Sequence, residues 1–208
     1  MSRIAFYYAP MSTASITRLV IEELGLDVET HRVDLSRGET HTPEFLRLNP
    51  NGRIPVIVHE GMAIWESSAI TMYLGELHGV DKGLWPAPGP LRGAAMKWIA
   101  WTHVTLGDAV GRWLRNTSDW TPADQHNEKA GAAAFDELKG CLRLLDDALE
   151  GGDWLVPAHG YTLADAHVNS FIDWGRHMKL DFAPYPRLNA WSARCAARPA
   201  YQRVGLGG

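Results

Sequence analysis

Two cysteines, Cys141 and Cys195, are all that the 208-residue chain carries. Both fall in stretches of helical periodicity, so a disulfide framework is not expected, and no Cys-x-x-Cys pair is present to run thiol–disulfide exchange. No apolar run approaches the roughly 20 residues that span a bilayer. The first residues, Met1-Ser2-Arg3-Ile4-Ala5-Phe6-Tyr7, read as the start of a strand and lack the apolar core of a secretory leader. Basic residues are not in excess: a net charge of −4 leaves no electrostatic footprint for nucleic acid. His103, in Trp101-Thr102-His103, has no second ligand at metal-type spacing, so no metal centre is expected. Membrane, nucleic acid and an oxidising compartment thus drop out, and a cytoplasmic protein is expected. What remains is ordinary globular material, 46% hydrophobic and 21% charged, long enough for one large or two small domains.

Taken in order, Ile4 and Phe6 mark one face of a first strand, which residues 9–15 break. Ile16, Leu19, Val20, Glu23 and Leu24 then give a helical stripe closed by Gly25, a good residue for the position after a helix end. A second strand follows within 26–35, and Pro43 opens a short helix. Two further strands, around Val56-Ile57-Val58 and Met62–Trp65, form a hairpin through His59-Glu60-Gly61, and a helix runs over 66–78. The order β-α-β-α-β-β-α predicts a mixed-sheet α/β unit. Gly and Pro crowd residues 79–90, which read as a linker packed through Leu84 and Trp85. Beyond it no convincing strand occurs. Helical patterns cover 91–115, 122–149, 162–178 and the stretch after Pro186, so the second unit is expected to be all-α. Thr162 and Asp165 fit a capping box before the apolar run Ala166, Val168, Phe171 and Ile172.

The chemistry concentrates in residues 49–70. Ile54-Pro55 opens a β-branched run; proline cannot donate to a ladder and keeps Ile54 out of the helical region, so it suits only a strand's first position or a turn. Ser67 is a good N-cap for Ala69, Ile70, Tyr73, Leu74 and Leu77 at helical spacing. A strand therefore runs straight into a helix N-terminus, where free N–H groups favour an anion. Ser67 and Ser68 add hydroxyl donors, and Glu66 attracts an ammonium. The α-amino-acid end of a small molecule satisfies all three, while the Ile54 main chain could pair with an extended peptide-like ligand. Each motif alone is equally an ordinary cap or an ordinary turn.

Asn49-Pro50-Asn51-Gly52-Arg53-Ile54-Pro55 and Glu66-Ser67-Ser68-Ala69-Ile70 together resemble the glutathione-binding half of the cytosolic glutathione transferase family. The resemblance implies an N-terminal thioredoxin-like domain over 1–78, a linker over 79–88 and an all-helical domain over 89–208. It implies a cis bond before Pro55, contact of Arg53, Ile54 and Pro55 with glutathione, and Glu66 and Ser67 on its γ-glutamyl end. Thr162 and Asp165 then serve the folding of a buried helix. A homodimer is implied as well. The family's thiol-activating group lies in the loop after the first strand, here Pro10 to Ser15. Ser12 is the first candidate and Thr13 the second, with Ser15 better placed as a helix cap and Tyr7 and Tyr8 less favoured as strand residues. The absence of a cysteine there departs from the beta- and omega-like branches, which form mixed disulfides. A hydroxyl and a helix N-terminus aimed at a thiol whose pKa is ordinarily about 8.5 would favour the thiolate. The second, apolar electrophile is expected against Met11, Trp101, His103, Thr105 and Trp113, although nine tryptophans in one chain are as easily core. The implied reaction is attack of the glutathione thiolate on a small apolar electrophile. Glutathione-dependent peroxide or disulfide reduction at the same site, and a non-catalytic binding protein of the same fold, are the alternatives.

Overall fold

The computed structural model describes residues 3–10 and 12–205. Four short strands, β1 (Ile4–Tyr8), β2 (Val28–Arg32), β3 (Val56–His59) and β4 (Met62–Trp65), form one mixed sheet in the order β2-β1-β3-β4. β1 pairs parallel with β2 and antiparallel with β3, where Phe6 faces Ile57. β3 and β4 are joined by the two-residue turn Glu60-Gly61, both with positive φ (52° and 80°), a geometry whose twist matches the flanking strands.

Alternation along the strands assigns the two faces. Ile4, Phe6 and Ile57 turn inward to a large core shared with α1 (Ala14–Glu23) and α3 (Ser67–Leu74). Tyr7 and Val56 turn the other way, against Phe45 of α2 (Pro43–Leu48). Gly25, at φ 58°, ends α1 as its position predicts, with Leu26 N–H returning to the Ile21 carbonyl at 3.1 Å. This α/β unit is thioredoxin-like, and among the described residues no strand follows it.

The second unit holds α4 (Pro90–Trp101), α5 (Gly107–Thr117), α6 (Glu128–Ala148), α7 (Leu163–His177), α8 (Pro186–Ala196) and α9 (Pro199–Val204). Two boundaries differ from expectation. α6 starts at Glu128, because the Asn127 side chain accepts from Ala130 N–H and caps it, while Pro122 precedes only a single 3₁₀ turn. The short α9, opened by Pro199, carries too few residues for a visible period.

The segment between the units is clamped. Trp85 is buried, its indole N–H donates to Glu76 at 3.0 Å, and the Leu84 carbonyl accepts from Leu163 N–H. Gly75 and Gly79 lie flush against it: a Cβ at either would fall within 2.7 or 2.8 Å of Trp85. A second tie is ionic. Arg198, just before α9, makes two 2.7 Å bonds to the buried carboxylate of Glu23 on α1, which also accepts from Tyr161.

α7 is the axis of the helical unit and touches α1, α3, α4 and α8. Its start is a complete capping box: Thr162 Oγ1 accepts from Ala164 N–H, and Asp165 accepts from Thr162 N–H. The other Asp165 oxygen accepts from Leu155 N–H and from the Trp191 indole, both at 2.9 Å. Replacing Asp165 by Ala would leave these buried donors without an acceptor, at about 1–3 kcal/mol each. Urea denaturation of Asp165→Ala should show a stability loss of at least about 3 kcal/mol; a loss under about 1 kcal/mol would mean that the box is dispensable.

Candidate active site

The Ile54–Pro55 bond is cis. The turn before it is tied by Asn49, which is buried: its side-chain amide donates to the Arg53 carbonyl at 2.6 Å and its oxygen accepts from Asn51 N–H. The Arg53 side chain stands exposed beside this loop. From β4 the chain turns into α3 through Glu66, whose φ of 70° and ψ of 117° place a non-glycine residue in a costly backbone region. Such a conformation persists only where the surroundings over-determine it.

Ser67 is not the cap: Glu66 holds that position, without a side-chain bond, and Ser67 is the first helical residue. The reason is the turn at Glu66, which uses its carbonyl to accept from Ile70 N–H and so starts the helix one residue earlier than side-chain propensity suggests. The consequence favours an anion. The N–H groups at the start of α3 have no carbonyl one turn earlier to pair with, and no side chain caps them. The Glu66 side chain extends into solvent beside them, and Ser67 is only 3% exposed.

The loop after β1 supplies three hydroxyls. Ser12 donates to the Ala9 carbonyl at 2.7 Å and accepts from Ala14 N–H at 3.2 Å, which puts its oxygen at the N-terminal end of α1. Thr13 occupies the cap position of α1 without capping it, and its hydroxyl reaches the Ile54 carbonyl across 3.4 Å. Ser15, expected as the cap, lies inside α1 and donates back to the Ser12 carbonyl. The strand 1 loop and the bend at Pro55 are thereby side by side.

Behind these hydroxyls opens an apolar cavity of about 230 Å³. Ser12, Thr13, Ser15 and Ile16 form one wall, Gly107, Val110, Gly111 and Leu114 of α5 the second, and Ser170, Phe171 and Trp174 of α7 the third. The expected wall was different. Trp101 packs edge-on against Trp98 at 5.3 Å, Thr105 is exposed to solvent, and Trp113 lies against Phe135 of α6 at 5.5 Å. Met11 lies outside the described residues.

The physical reason is a wide π turn over residues 102–106, which joins α4 to α5. Each residue turns an α-helix by about 100°, so a wider turn shifts the phase of everything after it. The face presented to the cavity is then Gly107, Val110, Gly111 and Leu114, and Trp113 rotates away, while Trp101 precedes the turn and packs on Trp98 of its own helix. The Gly107–Gly111 spacing of four was the available signal, since two glycines one turn apart leave a notch in a helix. Phe171 belongs to the apolar run that follows the capping box, and Trp174 joins it in the wall from three residues further along α7.

His103 also sits elsewhere than expected. It belongs to the π turn and lies at the junction of the two units, 3.3 Å from Ser67 Oγ and 2.7 Å from His167 of α7. Burial pushes its pKa below the usual imidazole value, against the opposing pull of the Glu66 carboxylate. Burial, with His103 beside it, pushes His167 well below that value. Both rings are neutral at pH 7. Among the described residues no three His, Cys, Asp or Glu side chains are grouped so as to hold a metal ion.

A thioredoxin-like sheet with a cis-proline leading into its inner strand β3, covered by an all-α unit that completes an apolar cavity, defines a class of glutathione-handling proteins. Comparison with known proteins names the family. The N-terminal domain of glutathione S-transferase matches residues 2–76 and its C-terminal domain residues 112–199. The disulfide-bond oxidoreductase YfcG of Escherichia coli is 30% identical over 204 residues, covering 95% of this chain and 92% of its own. Glutathione S-transferase GstB of the same organism is 30% identical over 188 residues, 89% of each. Among solved structures, a glutathione transferase from Methylococcus capsulatus superposes with a TM-score of 0.83 at 29% identity, over 97% of this chain and 96% of that one. A theta-class enzyme from Xanthomonas axonopodis pv. citri, solved with glutathione bound, gives 0.84 at 28% identity, over 98% and 97%. The chain belongs to the glutathione S-transferase family.

The buried histidines make stability depend on pH. In the unfolded chain imidazoles titrate near 6.5, whereas in the fold they resist protonation. As pH falls through 6.5 the unfolded state takes up protons that the folded state refuses, so stability is complete above that value and declines below it. The urea midpoint should be lower at pH 5.5 than at pH 7.5. His167→Gln, with no ring to titrate, should show a smaller fall; an identical fall in both proteins would remove His167 as its cause.

Proposed function

We propose that this protein binds glutathione along the Ile54–Pro55 bend and the start of α3, and activates its thiol for attack on a small apolar electrophile held in the cavity. The observation that carries the reading is the position of the Ser12 and Thr13 hydroxyls. Both line an apolar cavity, and that of Thr13 borders the Ile54 main chain, where the cysteinyl unit of an extended ligand would pair. The polar half of the groove fits the rest of the tripeptide. Unpaired N–H groups and the Ser67 and Ser68 hydroxyls suit the γ-glutamyl carboxylate, Glu66 suits its ammonium, and exposed Arg53 is available to the remaining carboxylate.

Ser12 is the first choice as thiol donor. Its oxygen sits at the N-terminus of α1, so the helix end supports the same negative charge, and its hydrogen need only swing from the neutral Ala9 carbonyl to a thiolate. A charged acceptor makes the stronger bond. Thr13, with its longer bond to Ile54, is the rival.

The relative YfcG bears the name of a disulfide-bond oxidoreductase, which keeps glutathione-dependent disulfide reduction as a second reading. Turnover of 2-hydroxyethyl disulfide against an aryl halide separates the two.

We further propose a homodimer. β4 is one edge of the sheet and exposes Met62 and Trp65, while Leu77, Leu91, Met96 and Val104 are exposed on the segments that follow. A protein that stayed alone in solution would leave this apolar surface in water. Light scattering at micromolar concentration should report twice the 23.1 kDa chain mass.

Four substitutions test the site. Glu66→Ala should raise the glutathione dissociation constant at least about tenfold, and an unchanged constant would remove Glu66 from the glutamyl end. Ser12→Ala should lower turnover and raise the bound thiol's pKa, followed by thiolate absorbance, with binding nearly intact. The same result from Thr13→Ala alone would transfer the role. Gly111→Phe, where an added Cβ meets nothing within 4 Å, should fill the cavity and raise KM for the electrophile without weakening glutathione.

A further inference from the structure

Ser67 is one end of a closed loop of hydrogen bonds between the two units. Its Oγ lies 3.3 Å from His103 Nε2, and that nitrogen lies 2.7 Å from His167 Nε2. The other nitrogen of His167, Nδ1, lies 2.8 Å from Thr71 Oγ1, and Thr71 Oγ1 donates to the Ser67 carbonyl at 2.8 Å. The loop leaves α3, crosses to the π turn, passes to α7 and returns to α3 one turn further along.

The hydrogens in this loop can be placed one at a time. A carbonyl only accepts, so the single Thr71 hydrogen goes to Ser67. Thr71 Oγ1 must then accept from His167, whose Nδ1 therefore carries hydrogen. His167 is fully buried and neutral, so its Nε2 is bare. The 2.7 Å contact then requires hydrogen on His103 Nε2. That hydrogen is committed to His167 and leaves no lone pair on the nitrogen, so His103 cannot accept from Ser67, whose Oγ at 3.3 Å can at most share the same hydrogen as a second acceptor. The hydrogen of Ser67 itself is claimed by none of these groups.

We propose that the His103–His167 pair is a positioning relay, which sets the Ser67 hydroxyl as a donor directed at the anionic glutamyl end of glutathione. The relay rests on the glutathione reading above for its ligand, but not for its hydrogen order. Without it, neutral His103 could present a bare nitrogen to Ser67 and take the hydroxyl hydrogen that the ligand needs. Thr71 is the anchor of the order, because its bond to a carbonyl is the one step that cannot be reversed. The helical unit thus reaches into the glutathione half of the site without touching the ligand.

Two measurements on the full chain test this. Long-range ¹H–¹⁵N spectra of the imidazoles at pH 7.5, assigned with His103→Gln and His167→Gln, should place hydrogen on Nδ1 of His167 and Nε2 of His103. Hydrogen on Nε2 of His167 overturns the relay whether or not glutathione binds. In the second, Thr71→Val keeps the buried shape but removes the anchor, and should weaken glutathione about tenfold, the scale of one hydrogen bond to a charged group. Cysteinylglycine, which lacks the glutamyl end, should bind Thr71→Val and the unaltered protein equally. Thr71→Ser should restore glutathione binding, and Thr71→Val should add nothing in a Ser67→Ala background. Equal weakening of both ligands, or no weakening of either, overturns the proposal. A wild-type protein that binds no glutathione would instead sink the ligand reading and leave the spectra to decide the relay.

Discussion

The Asp165 carboxylate, with no exposure to solvent, accepts from the main chain at Leu155 and Thr162, from the Thr162 hydroxyl and from the Trp191 indole. Burial pushes its pKa above the usual carboxylate value, against four bonds that all favour the charged form. That competition is resolved by geometry, since each donor is fixed in its own element and converges on one carboxylate. The result is a helix start that cannot slide or rotate. α7 carries His167, Ser170, Phe171 and Trp174, so the cavity wall and the junction with α3 inherit their positions from this one buried group.

The site divides along the boundary between the two units. The sheet unit contributes hydroxyl groups at the start of α1 and main-chain N–H groups at the start of α3, where no side chain caps them. The helical unit contributes apolar surface, and the two glycines of α5 make room for it. Polar recognition and apolar capacity can therefore vary separately, because different elements carry them. They meet at the cavity, where the hydroxyls of the first loop face α5 and α7, and again at Ser67 through the two histidines. The same boundary is held elsewhere by the buried Glu23–Arg198 pair and by Trp85 against Gly75 and Gly79, residues that do not line the cavity.

Much of this was legible in the chain. Strand alternation, the Gly25 helix stop, Pro43 at a helix start, the capping box of Thr162 and Asp165 and the change from mixed to purely helical pattern are local signals, and local sterics and hydrogen bonding set them. The cis bond before Pro55 and the role of residues 49–70 came from resemblance, because spacing alone reads equally as a turn and a cap.

Tertiary structure decided the rest. Whether a tryptophan lines a cavity or a core depends on helix phase, and a π turn over 102–106 changes that phase with no marker in composition; Trp113 was displaced by it and Gly107, Val110 and Gly111 took its place. Ser67 became a first helical residue because Glu66 adopts a backbone conformation that only the surrounding fold enforces. His103 and His167 are 64 residues apart in sequence, so no window on the chain could join them. Periodicity and capping are properties of neighbours along the chain and are written there. The facing of two helices, the tautomer of a buried ring and the volume between three walls are properties of elements brought together, and they exist only once the core has closed.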